Sequence, residues 1–480
     1  MTLRDRILSV FSDSAFRAPV LKLLSGTGVA FIVAYLANIV LLRLYPDEFW
    51  GVADYIIAWV SILAPVASLR YEDALMLPKD RRQAAHAFIL AIAAVLVSAT
   101  LLFTFLALSD SALAFFEEKK AGRWMLLVPL ALMANRFAKI SELWLSRQES
   151  FGNISAAQVV QSTSMVSVRI GTGLSTPGPG GLIWGFIAGF GLSTLGMSRR
   201  VVLTLRASLE HRPTLREFRE VASRYRRFPQ FTMPAALISG LITRLPILLI
   251  PEFFDMGVAG QYSRGFSILF VPLSLLAAAV AQVFFVRAVE ANRSGTLGAF
   301  AGNVHARLVL MCFWPTVILM TAGADIFQVL FGEAWRDSAS YLGFVAPWIL
   351  FSVVASPLTR LFDVLERQRL ELLATVLMLA VISATLFYGG QTGDIKVTLL
   401  ALGIGGTVIR LGQIMLLLHL AGTSLTAMIR PYLSYIVWSL PLLGGIFWIT
   451  TLGMPILTTI AGTIGGLIFY AFIAFREKLI

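Results

Sequence analysis

Seven basic residues stand where the surrounding sequence is almost entirely apolar: Arg136, Lys139, Arg169, Arg244, Arg264, Arg307 and Arg410. A charged side chain in the middle of an apolar membrane-length run costs about 2.5–3.5 kcal/mol on insertion scales. Each must therefore face a wet cavity, pair with an acid, or reach the surface. Beyond the first few residues of such runs, the acids are Asp54 and Glu142. Two carboxylates do not neutralise seven cations, and the surplus predicts an electropositive cavity. Arginine's planar fork donates two hydrogen bonds at once and stays charged, which suits phosphate. The expected ligand is an anion bearing phosphate; a carrier of organic cations would place carboxylates there instead.

Spacing adds detail. Arg136 and Lys139 are three apart and share a helical face, and Glu142, three further on, is placed to pair with Lys139. Arg169, Arg244 and Arg264 fall one to two turns from one end of their runs, and Arg410 lies near the middle of its own. Arg136, Lys139, Arg264, Arg410, Arg244 and Arg169 form the candidate binding set. For Arg169 and Arg244, snorkelling or a structural pair is an equal alternative, and Arg307 reads as a late surface residue. Asp54 is a candidate for ion coupling, or a structural carboxylate.

Other chemistries leave no trace. Nothing matches G-x-x-x-x-G-K-[ST] or G-x-S-x-G, the four histidines (His86, His211, His305, His419) lack metal-ligand spacing, and Cys312 alone forms no internal disulfide. The Gly- and Pro-rich stretch "GTGLSTPGPGGLIWG" reads as a loop. No cofactor, metal or nucleic acid is expected, and no extramembrane segment is long enough for a catalytic domain, so the chain does not read as an enzyme.

The elements that must position these residues are membrane helices. The chain is 57% hydrophobic and 14% charged, with net charge +12 and mean hydropathy +0.79, far more apolar than a soluble domain. A span needs about 20 mostly apolar residues. Runs of that kind fall near 19–43, 48–69, 83–108, 123–145, 153–174, 181–202, 229–250, 257–285, 297–322, 338–360, 369–388, 396–420, 431–451 and 453–475. The predicted fold is an all-α integral membrane protein of about 14 transmembrane helices. Residues 1–18 read as a cytoplasmic interfacial segment, 19–204 as an N-lobe of six spans, and 205–228 as a basic cytoplasmic linker. Residues 229–420 read as a C-lobe of six, and 421–480 as two further spans and a tail.

Lysine and arginine crowd one set of run ends, which by the positive-inside bias places both termini in the cytoplasm. "SLRYEDALMLPKDRRQAAHAF" (68–88) then becomes a cytoplasmic loop in which Glu72 and Asp73 are available to Arg70, Arg81 or Arg82. Leu215, Phe218 and Val221 give the linker an amphipathic helix that grips anionic phospholipids. "GVADYIIAWVSILAPVASL" from Gly51 and "GVAGQYSRGFSILFVPLSL" from Gly257 echo each other, each at the second span of its half. That pattern describes two parallel six-helix repeats, a transporter architecture.

Several stretches resemble polysaccharide (O-antigen/exopolysaccharide) flippases of the multidrug/oligosaccharidyl-lipid/polysaccharide (MOP) exporter superfamily. They are Arg70-Tyr71-Glu72-Asp73-Ala74 with Leu77-Pro78-Lys79-Asp80, "YRRFPQF" at 225–231, "VAGQYSRGFSILFVPLSLLAAAVAQVFFVRAVE" at 258–290 and "VLFGEAWRDSASYL" at 329–342. The resemblance implies a V-shaped two-lobe bundle working by alternating access in the bacterial inner membrane. Its implied cargo is an undecaprenyl-pyrophosphate-linked oligosaccharide, and polysaccharide polymerase and chain-length proteins are its implied associates. Arg70 would then gather substrate at the cytoplasmic entrance, or else simply hold its loop. The rival readings are a lipid II flippase or an ion-coupled small-molecule exporter on the same fold, and a membrane polymerase or ligase of the same pathway.

Overall fold

The computed structural model describes residues 28, 32–209 and 214–479. Residues 1–18, expected to form an interfacial helix, lie outside that set. Among the described residues the chain is helix and short connection, without strands. It divides into two compact units, 1–244 and 245–480.

The first unit contains α1 (Ile32–Leu44), α2 (Asp47–Ala67), α3 (Arg81–Leu108), the short α4 (Asp110–Glu118), α5 (Val128–Arg147), α6 (Phe151–Ser175), α7 (Pro179–Ser208) and α8 (Leu215–Arg224). The helix α9 (Met233–Phe253), entered through a π turn at Phe228–Thr232, begins in this unit and ends in the second. α7 packs on α6 and α5, and α5 packs on α2 and α3. α3 shows why these sequences make membrane helices. Ala84, Ala87, Ala91, Val95 and Ala99 recur at three- and four-residue spacing and are fully buried, while Val97, Leu101, Phe105 and Leu108 point outward. Small side chains let backbones approach, and a helix apolar on its outer face too belongs in lipid rather than water.

The second unit contains α10 (Met256–Arg293), α11 (Leu297–Phe331), α12 (Arg336–Leu358), α13 (Gln368–Gly390), α14 (Ile395–Leu420), α15 (Leu425–Thr451) and α16 (Pro455–Leu479). α12 is its hub, packed against α10, α11 and α14, while α15 and α16 pack on α11. The approach of α14 to α12 is close: a Cβ at Gly403 would fall well inside contact distance of the Phe344 carbonyl oxygen, and Gly406 lies flat against the Trp348 indole.

Eleven helices among the described residues are long and apolar enough to cross a membrane. Fourteen were expected, and helix is present in the described part of every expected run. Three fall short. Only the last part of the first run is described. α5 carries Arg136, Lys139, Glu142 and Arg147, and α6 is rich in Ser, Thr and Gln. The stretch "GTGLSTPGPGGLIWG" is not a loop: α6 runs to Ser175 and α7 starts at Pro179, leaving only residues 176–178 as connection. Proline is tolerated there because the first turn of a helix needs no donor from its N–H.

Candidate substrate-binding site

In the first unit two of the cationic residues, Arg136 and Arg70, meet at a buried acid. α2 ends at Ala67, and the chain reverses through Leu69 and Arg70, both in the left-handed region (φ 50° and 58°). Holding two non-glycine residues there costs about 1–3 kcal/mol each, so the surroundings must compensate. They do so through a 3-10 turn, Tyr71–Met76, whose Tyr71, Ala74 and Leu75 enter the core beside Phe88, Ile140 and Trp144. Arg147, at the end of α5, pins the same segment: its two terminal nitrogens donate to the carbonyls of Leu75 (2.9 Å) and Pro78 (2.6 Å).

The result buries Glu72 to 1% exposure. Arg136 Nη2 lies 3.3 Å from its carboxylate, and Arg70 Nη1 lies 3.8 Å from it. Arg70 also meets Asp73 at 3.2 Å. Burial, the largest cause, pushes the Asp73 carboxyl above its ordinary range against the pull of Arg70. Lys139 pairs with Glu142 at 3.3 Å, as spacing suggested. Arg136 is thus not a bare cation: Glu72, assigned by sequence to a surface loop, returns into the bundle and shares its charge with Arg136 and Arg70. No periodicity signals that return. Arg147's role was equally invisible, since its acceptors are backbone carbonyls.

The other expected residues of this unit have different settings. Arg169 on α6 donates from Nε to the Leu182 carbonyl (3.3 Å) and lies 5.6 Å over the Trp50 ring. Tyr45 donates to its carbonyl at 2.6 Å. Arg169 is therefore built into the packing of α6 against α7 and the start of α2. Asp54 is buried on α2, and Arg244 is half-buried on α9.

The linker helix was foreseen, its docking was not. α8 opens with a capping box in which Thr214 Oγ1 accepts from Glu217 N–H while the Glu217 carboxylate accepts from Thr214 N–H. The Thr214 N–H first, and the Thr214 hydroxyl with it, donate to the Glu217 carboxylate and hold it down at about 2. Of the three partners open to the loop acids, Arg70 takes both Glu72 and Asp73, while Arg82 pairs with Glu217 instead. Arg224 donates to Gln83 at 2.8 Å, Phe218 packs on the His86 ring, and Val221 enters the core.

In the second unit, Arg264 on α10 and Arg410 on α14 lie on two helices that both pack on α12. The α10 segment around Arg264 is fixed firmly, with Gln261 Nε2 donating to the Ala334 carbonyl (2.7 Å) and Ser338 donating to the Gln261 carbonyl. Arg410 is half-buried and donates from Nη1 to Gln413 Oε1 at 2.8 Å. Among the described residues no carboxylate lies within ion-pair distance of it. A neutral amide orients a guanidinium without cancelling its charge, which leaves Arg410 able to hold an anion.

Residues 40–340 match the profile of a family described as polysaccharide biosynthesis protein. The chain belongs to that family. Solved structures similar to this family member share its helical architecture at low sequence identity. The lipid II flippase MurJ in an inward closed conformation is 13% identical, with TM-score 0.70, covering 95% of this chain and 99% of that one. An inward-facing MATE multidrug resistance transporter of the MOP superfamily is 16% identical, with TM-score 0.61, covering 84% and 99%. A MOP superfamily transporter from Pyrococcus furiosus, described as having a binding pocket of reverse polarity, is 14% identical, with TM-score 0.52, covering 85% and 96%. No curated protein matches the chain. The family member is thus a multi-pass helical protein with the MOP transporter fold.

Proposed function

We propose that this protein flips an undecaprenyl-pyrophosphate-linked oligosaccharide across the bacterial inner membrane, by alternating access, for O-antigen, capsule or exopolysaccharide assembly. The observation that carries the reading is Arg410: a guanidinium inside an apolar helix, oriented by an amide and unneutralised by any described carboxylate. Membership of a polysaccharide biosynthesis family supports the pathway, and the MOP fold supports transport as the activity. A pyrophosphate offers the paired phosphate oxygens that arginine's fork binds bidentately. Arg264, Arg244, Arg169 and Lys139 complete the proposed cationic path, with Arg136 joining when its pairing to Glu72 opens and Arg70 acting at the cytoplasmic mouth. Asp54 is the proposed ion-coupling carboxylate. Both termini are placed in the cytoplasm. The proposed partners are anionic phospholipids along the linker, and the polymerase and chain-length proteins of the pathway.

The test is complementation of a deletion strain. The strain should lose surface polysaccharide and accumulate the lipid-linked glycan internally. Arg410→Ala should fail to restore the surface glycan at ordinary protein level, and Arg410→Lys should restore it in part, keeping charge without the fork. Normal surface glycan from the Ala variants of Arg410, Arg264 and Arg136, all expressed normally, overturns the assignment. Accumulation of peptidoglycan precursor instead would favour the lipid II reading.

A further inference from the structure

Two adjoining hollows in the second unit share residues and together have the shape and chemistry of an amphiphile. The first is a cavity of about 580 Å³ between the start of α11, the α14–α15 connection and the first turns of α15. Its polar lining comes from Asn303, Thr423, Ser424, Arg430, Ser434 and Tyr435. Gly298 and Gly302 line its edge on the facing helix, where the absence of a side chain lets the 421–423 turn pack closely. The second is a groove of about 620 Å³ along α15, lined by Leu425, Ile429, Leu433, Val437 and Trp438. Leu425, Ile429, Leu433 and Val437 recur every four residues and form one stripe on the helix. Arg430 and Ser434 line both hollows and mark where polar gives way to apolar.

Among the described residues no Asp or Glu lines either hollow. Among the described side chains Arg430 makes no ion pair or hydrogen bond, so its charge is available. The cavity lies at the N-terminal end of α15, where Ser424 caps the helix by accepting from Ala427 N–H. The helix-terminal dipole adds positive potential there. From Leu425 the groove runs 13 residues along α15 to Trp438, about 20 Å at 1.5 Å per residue. One leaflet of hydrocarbon is roughly 15 Å deep. The groove therefore takes a tail of single-leaflet length, such as a fatty acyl chain, and a much longer polyprenyl chain would overrun it.

We infer that this is a built-in site for one anionic diacyl phospholipid, its phosphate on Arg430 and the α15 N-terminus and one acyl chain along the α15 stripe. The site is distinct from the arginines of the transport reading and stands without it. A resident lipid here would seal α15 to α11 and make the unit's packing sensitive to anionic lipid content.

Trp438 provides the reporter. Full-length protein in mixed micelles is titrated with phosphatidylglycerol brominated in its acyl chains, and with brominated phosphatidylcholine. The quenching lost on Trp438→Phe is assigned to the groove. The anionic lipid should quench at lower mole fraction, Arg430→Gln should weaken that preference about fivefold, and Arg430→Lys should retain most of it. Inorganic phosphate should not displace the lipid, because it has no tail. Equal quenching by both lipids, an unchanged preference in Arg430→Gln, or displacement by inorganic phosphate overturns the proposal. So does stronger competition from undecaprenyl phosphate than from phosphatidylglycerol. Measuring the melting midpoint of each variant without added lipid separates a lost site from a lost fold.

Discussion

Replacing Glu72 by alanine should strand Arg136. The Glu72 side chain is 1% exposed and that of Arg136 8%, so water does not replace the lost carboxylate. Breaking a buried pair from one side costs about 3–5 kcal/mol, because the surviving charge stays buried. The lower end applies here. The closest approach is 3.3 Å, neither Glu72 oxygen accepts a well-formed hydrogen bond, and Arg70, at 29% exposure with Asp73 as a second partner, can turn outward. In a unit of this size each kcal/mol moves the midpoint by about 2–4 °C, so Glu72→Ala should melt roughly 6–12 °C lower. The assay is thermal unfolding of purified full-length protein followed by tryptophan fluorescence, since Trp144 lies in the same core. The Glu72→Ala, Arg136→Ala and double variants form a cycle. The double should be less destabilised than the sum of the singles by about 2 kcal/mol. A Glu72→Ala midpoint within about 2 °C of the parent, or an additive double, refutes the buried-pair argument.

Other parts of the fold make their own tests. Arg147→Met removes two charge-assisted bonds to the Leu75 and Pro78 carbonyls, about 1.5–3 kcal/mol each; limited trypsin digestion should then cut faster at Lys79, Arg81 and Arg82. Gly403→Ala pushes a methyl into the Phe344 carbonyl and should destabilise by about 1–3 kcal/mol or more. Gly412→Ala on the same helix meets nothing within 4 Å and should be neutral or stabilising by up to about 1 kcal/mol through helix propensity, both read as shifts in melting midpoint. Glu217 has its carboxyl lowered from 4.5 to about 2. Its contribution is present in full above 4.5 and is lost as pH falls through about 2. Protection factors of the amides across 214–224, taken relative to intrinsic exchange at each pH, should therefore hold at pH 5 and fall between pH 4 and 2, and Glu217→Ala should abolish that dependence.

What the sequence disclosed was mostly local. The apolar runs locate the helices because burial against protein and lipid alike demands apolar side chains. The 136/139/142 spacing shows the Lys139–Glu142 pair because both ends lie on one helix. The amphipathic register at 215–221 shows α8 for the same reason. Whatever depends on distant segments meeting was hidden. Glu72 reaches Arg136 only because a left-handed turn at Leu69 and Arg70 folds the loop inward. Arg82 finds Glu217 135 residues away. For Arg169 spacing left a binding role and a structural one equally open, and its cross-helix contacts to Leu182 and Trp50 cannot be inferred from spacing.

The dimensions of α10 reach further than its packing. Its 38 residues amount to about 57 Å of helix, against roughly 40–45 Å for a bilayer with its headgroups. Standing upright in a bilayer, it would leave over ten ångströms clear in water, in keeping with exposed Arg287, Glu290 and Arg293 near its C-terminal end. Pro272 interrupts the backbone hydrogen bonding partway along, about 32 Å below that tip. A flexure of about 5° at the proline would swing the tip by about 3 Å, since a rigid rod magnifies a small angle at its pivot. The protruding hairpin formed with α11 is thus a lever arm, and an antibody or tether clamped to residues 287–297 should arrest the lever without touching the membrane interior.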